Sequence, residues 1–434
     1  MSQTPASGTA ASAPTRRNPW LWVPSLYFAQ GIPYVVVMTV SVIMYKRMGI
    51  SNTDIALYTS WLYLPWVIKP LWSPIVDMFR TKRLWIIGTQ LVVGAALASV
   101  ALTIPLPAFF RITLAIFWLM AFSSATHDIA ADGFYMLGLE QHQQAAFVGV
   151  RSTFYRVAMI TGQGLLVVVA GYFESRGIAF AWSITFWILA GLFALFFLYH
   201  RFMLPRPVAD RPTLHVGERT PIQEFFHVFA LFFRRKNIFA ILAFLLLYRF
   251  AEAQLVKLVS PFLLDAREAG GLGLTTSQVG IAYGTFGILA LTAGGLLGGY
   301  LASLRGLRYW LWPMVFIIHL PDAVFIFLSH LQPTSFFLIS AAVAVEQFGY
   351  GFGFTAYMLF MIMVAEGEHK TAHYAICTGF MALGMMLPGM FSGWLQEQIG
   401  YAHFFEWVLL STIPGFIVAA LVKVDPEFGK KKQA

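Results

Sequence analysis

Charge is what this sequence has least of. Lys, Arg, Asp and Glu make up 11% of its 434 residues, where soluble domains carry about a quarter. That deficit excludes a water-soluble globular chain. The 58% hydrophobic content and mean hydropathy of +0.70 describe a polytopic membrane protein instead. Cysteine is nearly missing: the single Cys377 excludes an intrachain disulfide and any cysteine metal cluster. Signature motifs are missing too. There is no GxxxxGK[ST] loop to cradle nucleotide phosphates, no HExxH to hold zinc and no Gly-x-Ser-x-Gly elbow. Direct ATP coupling by this chain drops out. Gradient-driven transport is left as the leading class, with no cofactor, no metal and no catalytic residue expected. The rival from a different class is a non-transporting membrane enzyme or scaffold, and the lack of any nucleophile–base constellation counts against it.

What the sequence has is apolar runs. A crossing needs about 20 such residues, and twelve stretches qualify: 20–45, 54–78, 84–104, 110–137, 147–173, 180–203, 237–264, 277–302, 309–330, 335–363, 372–397 and 403–423. The fold class that follows is an all-α polytopic membrane protein with twelve transmembrane helices. Its expected parts are a disordered cytoplasmic tail over 1–19, a six-helix bundle over 20–203, a cytoplasmic linker over 204–236, a second bundle over 237–423 and a tail over 424–434. The tail carries Arg16 and Arg17, but the run Trp20–Tyr45 is too long for a signal-peptide h-region, so the first helix is expected to stay uncleaved. The linker holds Pro205, Pro207 and Pro212, then an amphipathic piece, Ile222–Phe233, suited to the membrane surface.

Lys and Arg give the orientation. Arg80, Lys82, Arg83, Arg201, Arg206, Arg234, Arg235, Lys236 and Lys430–Lys432 fall on one side. Only Lys46, Arg47, Arg111, Arg176 and Arg267 fall on the other. Both termini are expected in the cytoplasm, and the net charge of +9 marks topology rather than nucleic-acid binding. The halves also repeat. Tyr135-Met136-Leu137 matches Tyr357-Met358-Leu359, and the same shift joins Met159 to Met381, Gly162 to Gly384, Gly171 to Gly393 and Gln30 to Glu252. Six plus six spans in parallel halves is the major facilitator arrangement, whose halves rock about a site near the midplane.

Charges inside the spans are the candidates for function, since each costs roughly 2.5–3.5 kcal/mol at the bilayer centre. The stretch Ser123–Leu137 holds His127, Asp128 and Asp132, and the two acids share a helix face. Folding the next hairpin about residue 142 puts Asp128 at the depth of Arg156 and Asp132 near Arg151, which predicts those two pairs. Asp128 is the first choice for a coupling proton, held charged beside its arginine and protonated when parted from it. Glu252, Asp322 and Glu346 are the next acids. Gln30-Gly31-Ile32-Pro33-Tyr34 predicts a bend facing the pore, with an ordinary proline kink as the alternative. Arg249 and Glu252, three apart, are expected to pair within their helix. Gln30, Tyr34, His127, Tyr155, Arg156, Tyr248, Arg249, Glu252, Glu346, Gln347 and Tyr357 are the candidate substrate-binding set. His319 reads as an interior histidine. Gly294, Gly295, Gly298 and Gly299 read as helix packing, and Gly349, Gly351 and Gly353 as softening a helix near the site. Lys69, Asp77 and Arg80, in Lys69–Asp77 and the basic turn after it, partly match the loop signature GxxxD(R)xxGR[KR] and are the candidate gate.

Phe28–Pro33, Lys69–Asp77, Ser124–Asp132, Tyr155-Arg156 and Gly393-Trp394 resemble the AmpG-type muropeptide permeases of the major facilitator superfamily, over nearly the whole chain. Acetyl-CoA transporters of the endoplasmic reticulum share versions of two of these motifs. The resemblance implies proton-driven import of anhydromuropeptides across a bacterial inner membrane, for peptidoglycan recycling. Another amino-sugar oligosaccharide or an acetyl-CoA-like substrate is the alternative within the class. The expected partners are the glycopeptide, protons and lipid, with the chain a monomer. Met78-Phe79 after the acid, and Glu252 where the family pattern has Asp, depart from the resemblance.

Overall fold

The computed structural model describes residues 17–211, 221–367 and 370–429, and among them there is no β-strand. Residues 1–16, 212–220, 368–369 and 430–434 lie outside the described residues, and with them most of the expected N-terminal tail, Pro212 and the Lys430–Lys432 run. Ten described helical runs are long and apolar enough to cross a membrane, and helix breaks conceal two more crossings. In chain order, α1 is Pro19–Arg47. α2 is the pair Asn52–Trp61 and Leu64–Met78, each piece too short alone. α3 is Lys82–Thr103, α4 Phe109–Gly138, α5 Gly149–Arg176 and α6 Ile178–Met203. α7 is Ile238–Leu264, α8 Thr276–Arg305, α9 Leu307–Leu331 and α10 Phe336–Ala365. The last run, Ala372–Leu421, has 50 residues, about twice what a bilayer needs. It turns at Gly400, whose φ of 76° favours glycine, and divides into α11 (372–399) and α12 (401–421). This division is consistent with the twelve expected crossings.

Arg17 reaches the Phe202 carbonyl at the end of α6, and the Leu307 N–H donates to the Phe428 carbonyl at 3.1 Å. Both described termini therefore lie at one end of the bundles, the near end. The loops around 48–51, 265–275 and 400 mark the far end. The linker helix, Pro221–Phe233, buries Val228 and Phe232, and Phe232 packs into the core of the second bundle.

The apolar core is one body at the far end and two at the near end. Ile43, Phe117 and Phe186 of the first bundle share a single buried cluster with Phe262, Phe325 and Phe405 of the second. Toward the near end, Trp22, Tyr27 and Phe134 form a cluster within the first bundle. Phe244, Met314 and Phe360 form a separate one within the second. Burying one such side chain is worth about 1.5–3 kcal/mol, so the shared cluster holds the bundles together at the far end, while toward the near end each bundle keeps its own core.

Wide π-turns interrupt α1 at Val36–Val40, α5 at Ile160–Leu165 and α8 at Gly280–Gly287. Those of α5 and α8 press together across the interface. A Cβ on Gly284 would lie 2.1 Å from the Gln163 carbonyl oxygen and 2.5 Å from the Gly164 nitrogen. A second seam joins α2 to α11, where a Cβ on Gly393 would lie 1.9 Å from the Asn52 carbonyl oxygen and 2.8 Å from the Ala56 Cβ. The repeat is visible in these seams. The shift that carries Gly171 to Gly393, applied backwards, carries Ser277, the neighbour of Gly171, to position 55, inside the turn of α2 that Gly393 touches. One glycine expectation is corrected. Gly349, Gly351 and Gly353 do not soften α10, which runs unbroken over Phe336–Ala365. They admit the backbones of α9 and α8, since Cβ atoms there would meet the Ile317, Leu291 and Met314 carbonyl oxygens at 2.0–2.5 Å.

Candidate functional site

On the first bundle the site is built from α1, α2, α4 and α5. Asp128 accepts from the Trp66 indole N–H at 3.2 Å and stands 3.6 Å from the Lys69 ammonium, with Gln30 beside it. Its expected partner lies elsewhere: Arg156 donates to the Thr292 hydroxyl of α8 at 3.2 Å, across the interface. Reflection along the hairpin fixes depth but not the direction around each helix axis, and Asp128 turns toward α1 and α2. The Asp132–Arg151 pair does form, at 2.9 Å. Arg151 lies over the Tyr27 and Tyr135 rings, and Tyr27 donates to Asp132 at 3.3 Å. Tyr34 meets the Trp66 ring edge-on at 5.3 Å and lies in reach of the Tyr63 hydroxyl. Tyr155 lies within electrostatic reach of Tyr34 and Asp128. Gly31 of the predicted bend receives α5, since a Cβ there would meet the Ala158 Cβ at 2.7 Å. Arg80 is exposed in the turn after α2, and the Asp77 side chain lies outside the described residues.

On the second bundle three helices converge. Glu252 of α7, Asp322 of α9 and Glu346 of α10 each bring a carboxylate oxygen to within 4.8 Å of the others, and all three are buried. Among the described residues, both oxygens of Glu252 and of Asp322 lack a hydrogen-bond partner, and Glu346 accepts from the Gln347 amide at 3.0 Å. Three carboxyls so close in a low dielectric cannot all be charged; shared protons or a bound cation would satisfy them. The expected Arg249–Glu252 ion pair is absent. The reason is the break between helices Ile238–Leu247 and Phe250–Leu264, which spoils the one-turn register. Arg249 instead donates to the Tyr350 hydroxyl and stacks over Tyr350 and Phe354. It also lies within electrostatic reach of Tyr34 and Tyr63 across the interface.

Other candidates face away from the interface. His127 sits inside the first bundle, in a chain that runs from His127 Nε2 to Gln90 (3.1 Å), from Gln90 Oε1 to His200 Nδ1 (2.9 Å) and from His200 Nε2 to Ser25 (3.0 Å). Satisfying buried polar groups is the work of such a chain, and each would cost about 1–3 kcal/mol if left unpaired. Tyr248 and Tyr357 are fully buried in the second bundle, their hydroxyls donating to the Gly353 and Leu245 carbonyls at 3.0 and 2.6 Å. His319 is interior, with its Nε2 toward Gly415 rather than a polar partner.

Sequence reasoning missed Tyr63, Trp66 and Tyr350. A signal was present: Trp66 follows Tyr63 by three and precedes Lys69 by three, while Tyr350 follows Glu346 by four, spacings that bring neighbouring side chains together on a helix. The far-end closure was also missed. Lys46 pairs with Asp265 across the interface at 2.7 Å, and Tyr401 donates to the same carboxylate at 2.7 Å. Asn52 donates to Gln396 and Tyr401, and Thr276 donates to Glu174.

The sequence profile of the BT1 family matches residues 30–267. The chain is 25% identical over 413 residues to the anhydromuropeptide permease of Escherichia coli (strain K12), covering 93% of this chain and 79% of that one. It is 24% identical over 407 residues to the putative transporter AmpG 4 of Rickettsia conorii, covering 91% and 94%. The AmpG-type resemblance read from the motifs is thereby borne out. Solved structures with this fold include the nucleoside transporter NupG, with a TM-score of 0.66, 17% identity and 94% and 100% of the two chains covered. A bacterial homologue of the human lysosomal transporter Spinster, inward-facing and unoccupied, has a TM-score of 0.66 at 15% identity, covering 94% and 96%. At those identities the solved structures speak to the fold alone, which is that of the major facilitator transporters.

Proposed function

This chain belongs to the BT1 family, and from that premise we propose that it imports anhydromuropeptides, N-acetylglucosamine linked to anhydro-N-acetylmuramic acid with or without peptide, together with protons. The observation that carries the reading is the make-up of the site between the bundles. Aromatic faces of Tyr34, Tyr63, Trp66 and Tyr350 stand near the cations Lys69 and Arg249, Arg156 stands at the contact of α5 with α8, and the buried acids Glu252, Asp322 and Glu346 lie beside Tyr350. Sugar rings stack on aromatic faces, and cations hold the lactyl and peptide carboxylates through charge-assisted hydrogen bonds. The three acids hold the coupling protons. Charged together they repel; protonated, they let the second bundle close around a neutral centre. Asp128, paired with Lys69 rather than Arg156, belongs to the substrate side of the same cycle.

The Lys and Arg bias makes the near end cytoplasmic, with both termini inside. The shut far end and divided near end then correspond to an inward-facing state of a carrier in the inner membrane. Opening to the outside requires Lys46 to leave Asp265 and the glycine seams to part.

The test is uptake of radiolabelled anhydromuropeptide by proteoliposomes. One pH unit, acid outside, is worth about 1.4 kcal/mol per proton, or about tenfold accumulation. Accumulation of that order, abolished by a protonophore, is the expected result. Uptake of acetyl-CoA or of an unrelated amino-sugar oligosaccharide in its place would assign the carrier to that substrate. A chemically altered product would make it an enzyme.

A further inference from the structure

Two cations line up along α7, and the transport cycle so far uses only one of them. Arg249 lies toward the near end. Lys257 lies eight residues further along, about 12 Å toward the far end at the helical rise. We propose that Lys257 is an outer anion-binding residue, which takes the substrate's carboxylate when the far end is open and gives it up to the inner cations as that end shuts. The proposal rests on the glycopeptide reading of the site.

Lys257 is 1% exposed. Its ammonium donates to the Thr59 hydroxyl at 3.0 Å and stands 5.2 Å over the centre of the Tyr63 ring. No ion pair among the described residues includes it. Glu252 is five residues earlier, around on another side of α7. A buried ammonium without a counter-ion is costly, and a neutral hydroxyl and a ring face offset only part of that cost. An apolar side chain of similar length would fill the space more cheaply, so the charge points to a use in another state.

Both partners of Lys257 belong to α2, in the opposite bundle. When the far end opens, α2 leaves α7 and takes Thr59 and Tyr63 with it. The ammonium is then the exposed cation of the outer vestibule and meets an incoming carboxylate. When the end shuts, the hydroxyl and ring return to Lys257 and displace the carboxylate inward, where Arg249, Lys69 and Arg156 stand. The contacts that Lys257 makes in this structure are thus the discharged half of an exchange between α2 and the substrate.

The test uses the full chain in oriented proteoliposomes, with the anhydro-disaccharide as one substrate and the same molecule with its lactyl carboxylate converted to an amide as the other. Lys257→Gln is expected to raise KM for the acid at least tenfold from the outside. KM for the amide, and KM for the acid from the inside, are expected to stay within about twofold. Lys257→Arg should restore most of the outside affinity. Because acid and amide are compared in one variant, a folding defect would move both and cannot mimic the result. Equal effects of Lys257→Gln on acid and amide, or on both sides, would overturn the proposal and leave Lys257 as a pin between the bundles. Wild-type protein that takes up neither substrate would overturn the substrate reading, and this proposal with it.

Discussion

Glu346→Gln is expected to give a carrier that exchanges substrate across the membrane but no longer concentrates it. Glu346 is 1% exposed and clusters with Glu252 and Asp322, whose carboxylate oxygens have no hydrogen-bond partner among the described residues. Three buried carboxyls at this spacing can accommodate one negative charge far more easily than three, and in the proposed cycle protons enter and leave the group as the surroundings change. An amide at 346 keeps the shape and the contact with Gln347 but has no proton to trade. Accumulation driven by one pH unit, about tenfold for each coupled proton, should fall to no accumulation at all. Counterflow at equal concentrations should persist, with a flattened pH dependence. Proteoliposomes read both. A Glu346→Gln protein that still concentrates substrate with the wild-type response to the gradient would remove this acid from the coupling group, and Asp128 would be tested next in the same way.

Gly284→Val should stop the cycle by a different route. The close approach of α5 and α8, backbone to backbone, is part of what shuts the far end, and a Cβ at 284 would lie 2.1 Å from the Gln163 carbonyl oxygen. Overpacking of this kind costs typically 1–3 kcal/mol, and at this seam it falls on one conformation rather than on the fold. A bias of about 3 kcal/mol toward the outward-open state lowers the inward-facing population by about two orders of magnitude. Net transport should drop by about 100-fold, while binding from the outside holds or tightens. A cysteine accessibility probe placed at the far end would report the shift. Normal turnover in Gly284→Val would mean that the seam is not what closes that end.

The fold was legible because hydropathy and the Lys and Arg bias act along the chain, one span at a time. The Asp132–Arg151 contact was legible for a related reason: a hairpin is local, and depth is counted in residues. Asp128 was misassigned to Arg156 because depth leaves rotation about the helix open, and its cation, Lys69, arrives from α2. The acids of α7, α9 and α10 were each visible as charges out of place, but their convergence depends on how three helices pack, which no spacing in the sequence encodes. Arg249 was misread in the opposite way. Its three-residue distance from Glu252 implies a pair only in an unbroken helix, and α7 breaks just there. His127 shows the cost of treating every polar residue at membrane depth as functional, since Gln90 and His200 hold it inside the first bundle.

Proton movement itself is the most direct test of the coupling mechanism. Anhydromuropeptide added to lightly buffered proteoliposomes, with no imposed gradient and with the membrane potential clamped, should make the outside medium more alkaline as substrate enters. The change should be stoichiometric with uptake and vanish in Glu346→Gln. Uptake of the same substrate with no change in external pH would contradict proton coupling, and with it the coupling role of Glu252, Asp322 and Glu346.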